Sequence, residues 1–294
     1  MHVLLETLPQ QIVTGVVLGG LYALIGIGMS LIFGIMRLTN IAHGDIMILS
    51  SFLTMYITRE LTGNPVVALL ITIVIMIGFG IAIQKFLINR VITKGAEPAL
   101  LVTFGLSIII SNGLFLAFGA NTQRIPNTLT TTNFINTGGI SISMIYAVCF
   151  AVAVAVIVVL TIVMNKTSFG RAIRATSSDT TMSELLGVNT KRVYVYAMCL
   201  TVVTASIAGL LVGMNFPFFP TTGPSYLIIA FGVVVIGGMG SLVGTLVGGI
   251  ILGLAQIVGG HFLGVTYQQL IGFLVLLVVL AIRPQGLMSK AIRK

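Results

Sequence analysis

Asn40, His43 and Asp45 stand within six residues of one another, and they are the one place in this chain where an imidazole and a carboxylate lie close together inside an apolar segment. Such a pair is the equipment of a proton relay. Asn40 and His43, three apart, can share a helix face, whereas Asp45, two beyond His43, points elsewhere. The plainest reading is structural: Asn40 caps a helix, and Asp45 sits at its positive N-terminus. A second follows from cost, since a carboxylate near the bilayer centre is unfavourable by about 2.5–3.5 kcal/mol and so faces a bundle interior, water or a partner. That reading makes Asn40, His43 and Asp45 the lining of a gate or pathway. The third is proton relay by His43.

Further chemistry is scarce. With three His, six Asp or Glu and two Cys in 294 residues, no catalytic, metal-binding or cofactor-binding set is expected. Cys149 and Cys199 lie in apolar segments and read as small buried hydrophobes. No Gly-Lys pair occurs, so there is no G-x-x-x-x-G-K-[ST] phosphate loop. Energy from ATP, if used, must enter through a partner.

The elements that position these residues are membrane spans. The chain is 57% hydrophobic and 7% charged, and residues 193–282 contain no Asp, Glu, Lys or Arg at all. A soluble domain could not solvate such a surface. The net charge of +9 points to membrane topology, not to nucleic acid. The expected fold is an all-α polytopic transmembrane bundle of about 8–9 spans forming a single transmembrane domain over 1–294, with lipid as its solvent. Spans are read at 9–36, 41–58, 65–88, 99–119, 142–164, 193–214, 226–242, 243–259 and 266–282. Residues 1–8 lack the basic region of a cleavable signal, so the first segment is expected to stay. At about 42 Å that segment exceeds a hydrocarbon core of about 30 Å, leaving tilt, a kink or an interfacial turn open.

Lys/Arg bias sets the orientation. Arg37, the 85–94 loop, the 166–192 loop and the tail from Arg283 belong on the cytoplasmic side, leaving Arg59 and Arg124 outside. Nine spans, N-terminus out and C-terminus in, fit this division. Between the outer breaks, 121–139 is rich in Thr and Asn, and 215–225 holds Pro217, Pro220 and Pro224. The latter segment could seal a pathway, receive an external protein or be a rigid turn. His261 and Gln256 are isolated polar groups near that side and receive no role.

The charged loop 165–192 is the most specific signal. Ser178, Asp179 and Thr181 offer N-cap oxygens, Thr181 and Glu184 have capping-box spacing, and Gly187 is placed to end a helix. A short helix over 179–186 would present Met182, Leu185 and Leu186 either to a partner's groove or to the protein's own underside. In the Gly-rich stretch, Gly240, Gly244 and Gly248 recur every four residues, as do Gly209 and Gly213. Close helix packing explains this spacing; a discontinuous helix on a translocation path, with Gly237, Gly238 and Gly240 at a gate, is the alternative.

The stretch "SFGRAIRATSSDTTMSELLGVN" (168–189) resembles the cytoplasmic coupling loop of bacterial branched-chain amino acid ABC-importer permeases. "LIFGIMRLTNIAHGDIMILSSF" (31–52), "VVVIGGMGSLVGTLVGG" (233–249) and "RPQGL" (283–287) match the same family in the same order. The resemblance covers essentially the whole chain and is nearest to the shorter, H-type permease. It implies a multi-pass translocation subunit of the bacterial inner membrane, paired with a second related permease (as a heterodimer, or with itself), two cytoplasmic ATPases that hold the ATP, and an extracytoplasmic binding protein. By position, Asp179, Met182, Glu184, Leu185 and Gly187 inherit the ATPase-coupling role, with Arg171, Arg174 and Leu186 beside them. The expected cargo is branched-chain or related neutral amino acids, with urea, short amides or other amino acids as alternatives. A stand-alone channel or secondary transporter is the rival class, and a membrane enzyme is a third that lacks a plausible residue set.

Overall fold

The computed structural model describes residues 7–92, 95–126, 134–137 and 140–288. Residues 1–6, Lys94, the tail cations Lys290, Arg293 and Lys294, and residues 127–133 and 138–139 of the polar outer stretch lie outside the described residues.

Helix α1 (Leu8–Met36) is opened by Pro9 in its first turn and runs unbroken, so its excess length is taken up without a kink. After a non-helical passage comes α2 (His43–Ile57), which a wider turn extends through Thr58–Thr62. Helix α3 (Pro65–Ala82) starts from Asn64, whose side chain accepts from the Val66 amide at 2.9 Å. A wide turn over Ile83–Ile88 carries it to Val91. Helix α4 (Ala96–Phe118) follows. A short antiparallel hairpin, β1 (Phe134–Thr137) and β2 (Ile140–Ser143), then leads into α5 (Met144–Lys166). Two short helices, α6 (Ser168–Ser178) and α7 (Thr180–Leu185), fill the charged loop. The rest is α8 (Thr190–Asn215), α9 (Gly223–Gly237), α10 (Leu242–Leu263) and α11 (Gln268–Ile282).

Eight helical segments among the described residues are long and apolar enough to cross a membrane, and they correspond to eight of the nine expected spans. The ninth, 41–58, is α2. Its fifteen residues reach only about 22 Å, and its side chains from His43 to Ile48 are all buried. Helices α1, α2 and α8 form the interior, while α11 lies almost wholly on the outside.

Contacts gather the basic segments at one end. The Arg37 guanidinium reaches the Ser177 carbonyl at 3.4 Å, Asn89 reaches the Lys191 carbonyl at 3.5 Å, and the Leu287 amide bonds the Ile236 carbonyl at 2.9 Å. At the opposite end Arg59 donates to Gln123 at 3.0 Å and to the Arg124 carbonyl at 3.4 Å. There the Pro-rich segment 215–225 turns inward, with fully buried Phe218 edge-on to Phe52 at 5.0 Å and Phe118 tilted on Phe52 at 4.8 Å.

The Gly-rich stretch resolves as a tight turn between α9 and α10, with Gly238 and Gly240 at φ 103° and 83°, a region that favours glycine. Gly237 packs on the backbone of Gly244 and Gly248, and Gly240 on Gly34 of α1. Along the α1–α10 seam Gly19 meets Gly249 and Ile250, and Gly15 meets Gly253 and Leu254. Small residues at four-residue intervals therefore bring backbones together here. Cys149 is buried and Cys199 half-buried, and neither is paired in a disulfide.

Candidate functional site

Two features carry functional geometry: a polar cluster deep in the bundle, and the α6–α7 elbow at its basic end.

The cluster begins where α1 ends. Arg37 adopts a left-handed conformation, φ 51°, the only non-glycine among the described residues with positive φ, and its amide still bonds the Phe33 carbonyl. The chain then doubles back through Leu38–Ala42 without helical structure, with Leu38, Asn40 and Ala42 buried. Non-helical backbone at membrane depth must find partners within the protein. Here the Asn40 side chain accepts from the Ala42 amide at 3.1 Å, and Thr103 of α4 accepts from the Ile41 amide at 3.3 Å.

His43 opens α2, and its Nε2 donates to the Ile25 carbonyl of α1 at 3.0 Å. Its ring edge fits only because Gly28 has no side chain: a Cβ there would lie 2.7 Å from His43 Cε1. Gly28 stands eight residues before the end of α1, or about 12 Å inside. Helix α2 therefore starts deep within the bundle. This corrects the expectation that 41–58 is a span beginning at the cytoplasmic face; hydropathy does not encode depth, and the left-handed turn at Arg37 sends the chain back inward. Asn40 is not the N-cap either, since Ala42 holds that position and Asn40 bonds the amide from outside the helix. A helical face shared by Asn40 and His43 does not exist.

Asp45 lies in the first turn of α2, 1% exposed, and one carboxylate oxygen accepts from the Ser107 hydroxyl of α4 at 2.5 Å. The other oxygen faces the start of α9, where a Cβ on Gly223 would overlap it. Gly44 and Gly223 approach so closely that neither tolerates a side chain. Two helix N-termini, those of α2 and α9, thus converge on one carboxyl group. Asn40 Nδ2, His43 Nδ1 and Asp45 Oδ1 have no hydrogen-bond partner, making up three of the six such buried side-chain atoms among the described residues. Unmet polar atoms in a buried setting are costly, and half of those found fall within these six residues.

Thr103, Ser107 and Ser111 were not singled out from sequence. They sit at i, i+4 and i+8 on α4, a polar stripe on one face of an apolar span. All three are used: Thr103 holds the Ile41 amide, Ser107 holds Asp45, and Ser111 donates to the Pro220 carbonyl at 3.2 Å. Gly237, Gly238 and Gly240 lie elsewhere, in the turn at the basic end. The helix discontinuity weighed for the Gly-rich stretch falls instead at 37–42.

At the elbow, Thr167 caps α6 by accepting from the Gly170 amide at 3.0 Å, and a side chain on Gly170 would overlap the Met164 carbonyl. Ile173, 1% exposed, pins α6 against Ile35, Val193, Tyr194 and Ala197. Arg174 turns to the end of α5, bonding the Met164 carbonyl and the Asn165 side chain, while Arg171 stays exposed. Asp179 caps α7, accepting from the Met182 amide at 2.9 Å. The expected Thr181–Glu184 capping box does not form. With Asp179 at the cap, Thr181 lies already inside the helix, and Glu184 accepts from the Thr190 hydroxyl at 2.5 Å instead. Gly187 at φ 84° ends α7, with its amide on the Glu184 carbonyl and the Val188 amide on the Ser183 carbonyl, the paired bonds of a Schellman motif. Ser183 faces in. Met182, Leu185 and Leu186 face out, 59%, 77% and 82% exposed.

The chain matches the family model described as the permease component of branched-chain amino acid transport systems over residues 11–280. It is 31% identical to the high-affinity branched-chain amino acid transport system permease protein LivH of Escherichia coli K12, covering 96% of this chain and 95% of that protein. To the corresponding permease protein BraD of Pseudomonas aeruginosa it is 30% identical, with the same shares covered. No solved structure matches the chain.

Proposed function

The chain belongs to the family of branched-chain amino acid transport permeases, and from that premise we propose that it forms the membrane pathway of an ATP-driven importer for branched-chain or related neutral amino acids. It is a multi-pass membrane protein, and its cytoplasmic end is the basic one. Hydrolysis takes place on two partner ATPases, a second related permease completes the pathway, and an extracytoplasmic binding protein delivers the cargo.

The exposed triad Met182, Leu185 and Leu186 on α7 is the observation that supports this reading most directly. The helix is capped at both ends and rooted through α6 in the bundle, so it is a rigid handle with an apolar grip outside the lipid. ATPase closure displaces α7, and α6 passes the displacement to α1 and α8 through Ile173. Asn40, His43 and Asp45 sit where α1, α2, α4, α8 and α9 meet, and we assign them to the inner gate. Asp45 joins α2 to α4 through Ser107 and to α9 at Gly223, so relative motion of these helices must remake its contacts.

The test is uptake of labelled leucine, isoleucine and valine into proteoliposomes. The chain with its companion permease, ATPases and binding protein should accumulate substrate only with ATP, and the chain alone should accumulate none. Accumulation against a gradient by the chain alone would overturn the reading in favour of a secondary transporter. Preferential uptake of urea or an amide would keep the mechanism and change the cargo.

A further inference from the structure

Apart from the polar cluster and the α7 grip, a cavity of about 850 Å³ opens at the basic end between α1, α5, α6, the α9–α10 turn and the chain after α11. Its volume falls within the range of about 300–1,000 Å³ usual for ligand pockets. The wall climbs α1 from Arg37 to Ser30, about 10 Å along the helix axis, past Phe33 and Leu31, and faces Leu242 and Val243 of α10. Polar groups gather where the wall meets the cytoplasmic surface: Arg37, Asn165, Arg174, Ser177 and Gln285. Among the described residues that line the cavity there is no carboxylate.

Both arginines are held in place by neutral acceptors. Arg37 donates to the Ser177 carbonyl, and Arg174 to the Met164 carbonyl and the Asn165 side chain. Each guanidinium carries five N–H donors, so most remain for a ligand, and two positive charges share one concavity with no anion built into it.

We propose that this cavity holds an anionic phospholipid of the cytoplasmic leaflet, its phosphate between Arg37 and Arg174 and the upper part of its acyl chains along α1 and α10. The order of polarity selects this occupant. Cations lie at the depth of the headgroups and apolar wall lies above them, which is the polarity profile of a lipid in its leaflet. A free phosphate would meet only the rim, and an acidic peptide from the cytosol would leave Phe33, Leu242 and Val243 unmatched. Basic pockets between spans on the cytoplasmic side recognise acidic headgroups by this same combination. The lipid would tie the end of α1 to α6, the element that carries α7.

The experiment is native mass spectrometry of the full-length chain in detergent with added phosphatidylglycerol, phosphatidylcholine or glycerol phosphate. Phosphatidylglycerol should remain bound at activation energies that strip phosphatidylcholine, and glycerol phosphate should neither bind nor displace the lipid at equal concentration. Arg174→Gln should weaken retention roughly fivefold, the worth of about one juxtamembrane cation. Gln285→Glu, which adds a carboxylate of the same size at an exposed rim position, should weaken it similarly with an unchanged melting temperature, so loss of binding cannot be laid to misfolding. Equal retention of phosphatidylcholine, displacement by glycerol phosphate, or wild-type retention in both variants would each overturn the proposal.

Discussion

Replacing Leu185 and Leu186 together by Ser tests whether α7 is gripped by another protein. The two side chains are 77% and 82% exposed, so the isolated chain has little to lose, and its stability should change by no more than about 0.5 kcal/mol. Burying a leucine fully is worth about 1.5–3 kcal/mol relative to leaving it in water. With about four-fifths of each surface still available to a partner, the pair contributes roughly 2.5–5 kcal/mol to docking. Affinity for the ATPase subunits should then fall by roughly two to four orders of magnitude. Co-purification of ATPase with tagged permease, the melting temperature of the permease alone and ATP-dependent leucine uptake should be measured on the same preparation. The expected pattern is loss of the first and third with the second unchanged. Full ATPase retention and uptake in the double variant would refute the grip, and a melting temperature that falls with them would show that α7 rests on its own underside.

Asp45→Asn keeps the shape and removes the acidic group set between two helix starts; uptake should fall well below wild type while the amount of assembled complex holds, and unchanged uptake would dispose of a gating role. Ser107→Ala strips that carboxylate of its hydroxyl donor and should destabilise the chain by about 1.5–3 kcal/mol; in an Asp45→Asn background the same substitution should cost visibly less, and equal costs in thermal melts would show the two residues to be uncoupled. Gly223→Ala forces a methyl against the Asp45 carboxyl group and amide, an overpacking of about 1–3 kcal/mol or more, so folded yield should drop sharply; a normal yield would mean that the α2–α9 approach is looser than this geometry.

Much of this architecture is visible in the chain itself, because a span declares itself by the absence of charge. The eight long helices follow the uncharged runs, and Arg59 and Arg124 stand opposite the cytoplasmic cations as the Lys/Arg division requires. The α7 helix is legible too, since Asp179 and Gly187 are local signals that act within a few residues. The start of α2 is not. Nothing between Arg37 and Asp45 states how deep the chain travels, and the answer depends on Gly28, Thr103 and Ser107, all remote in sequence. The stripe Thr103–Ser107–Ser111 was available as spacing, but on a span that is apolar all round three hydroxyls are easily read as incidental. Glu184 shows the opposite failure: its capping-box spacing is correct, yet Thr190, brought in by the turn at Gly187, takes its carboxylate.

The depth at which α2 begins bears on how the protein is made. This segment leaves the ribosome directly after α1, carrying Asn40, His43 and Asp45, and its α-helical part reaches roughly three-quarters of the way across the hydrocarbon. Part of the surface that covers it belongs to Gly209 on α8 and Gly223 on α9, which are synthesised roughly 160–180 residues after the α2 residues they meet, counting along the chain. Until they arrive, Asp45 has only the Ser107 hydroxyl of α4 as its partner from another helix. The packing of the second segment is therefore complete only when the second half of the polypeptide has arrived.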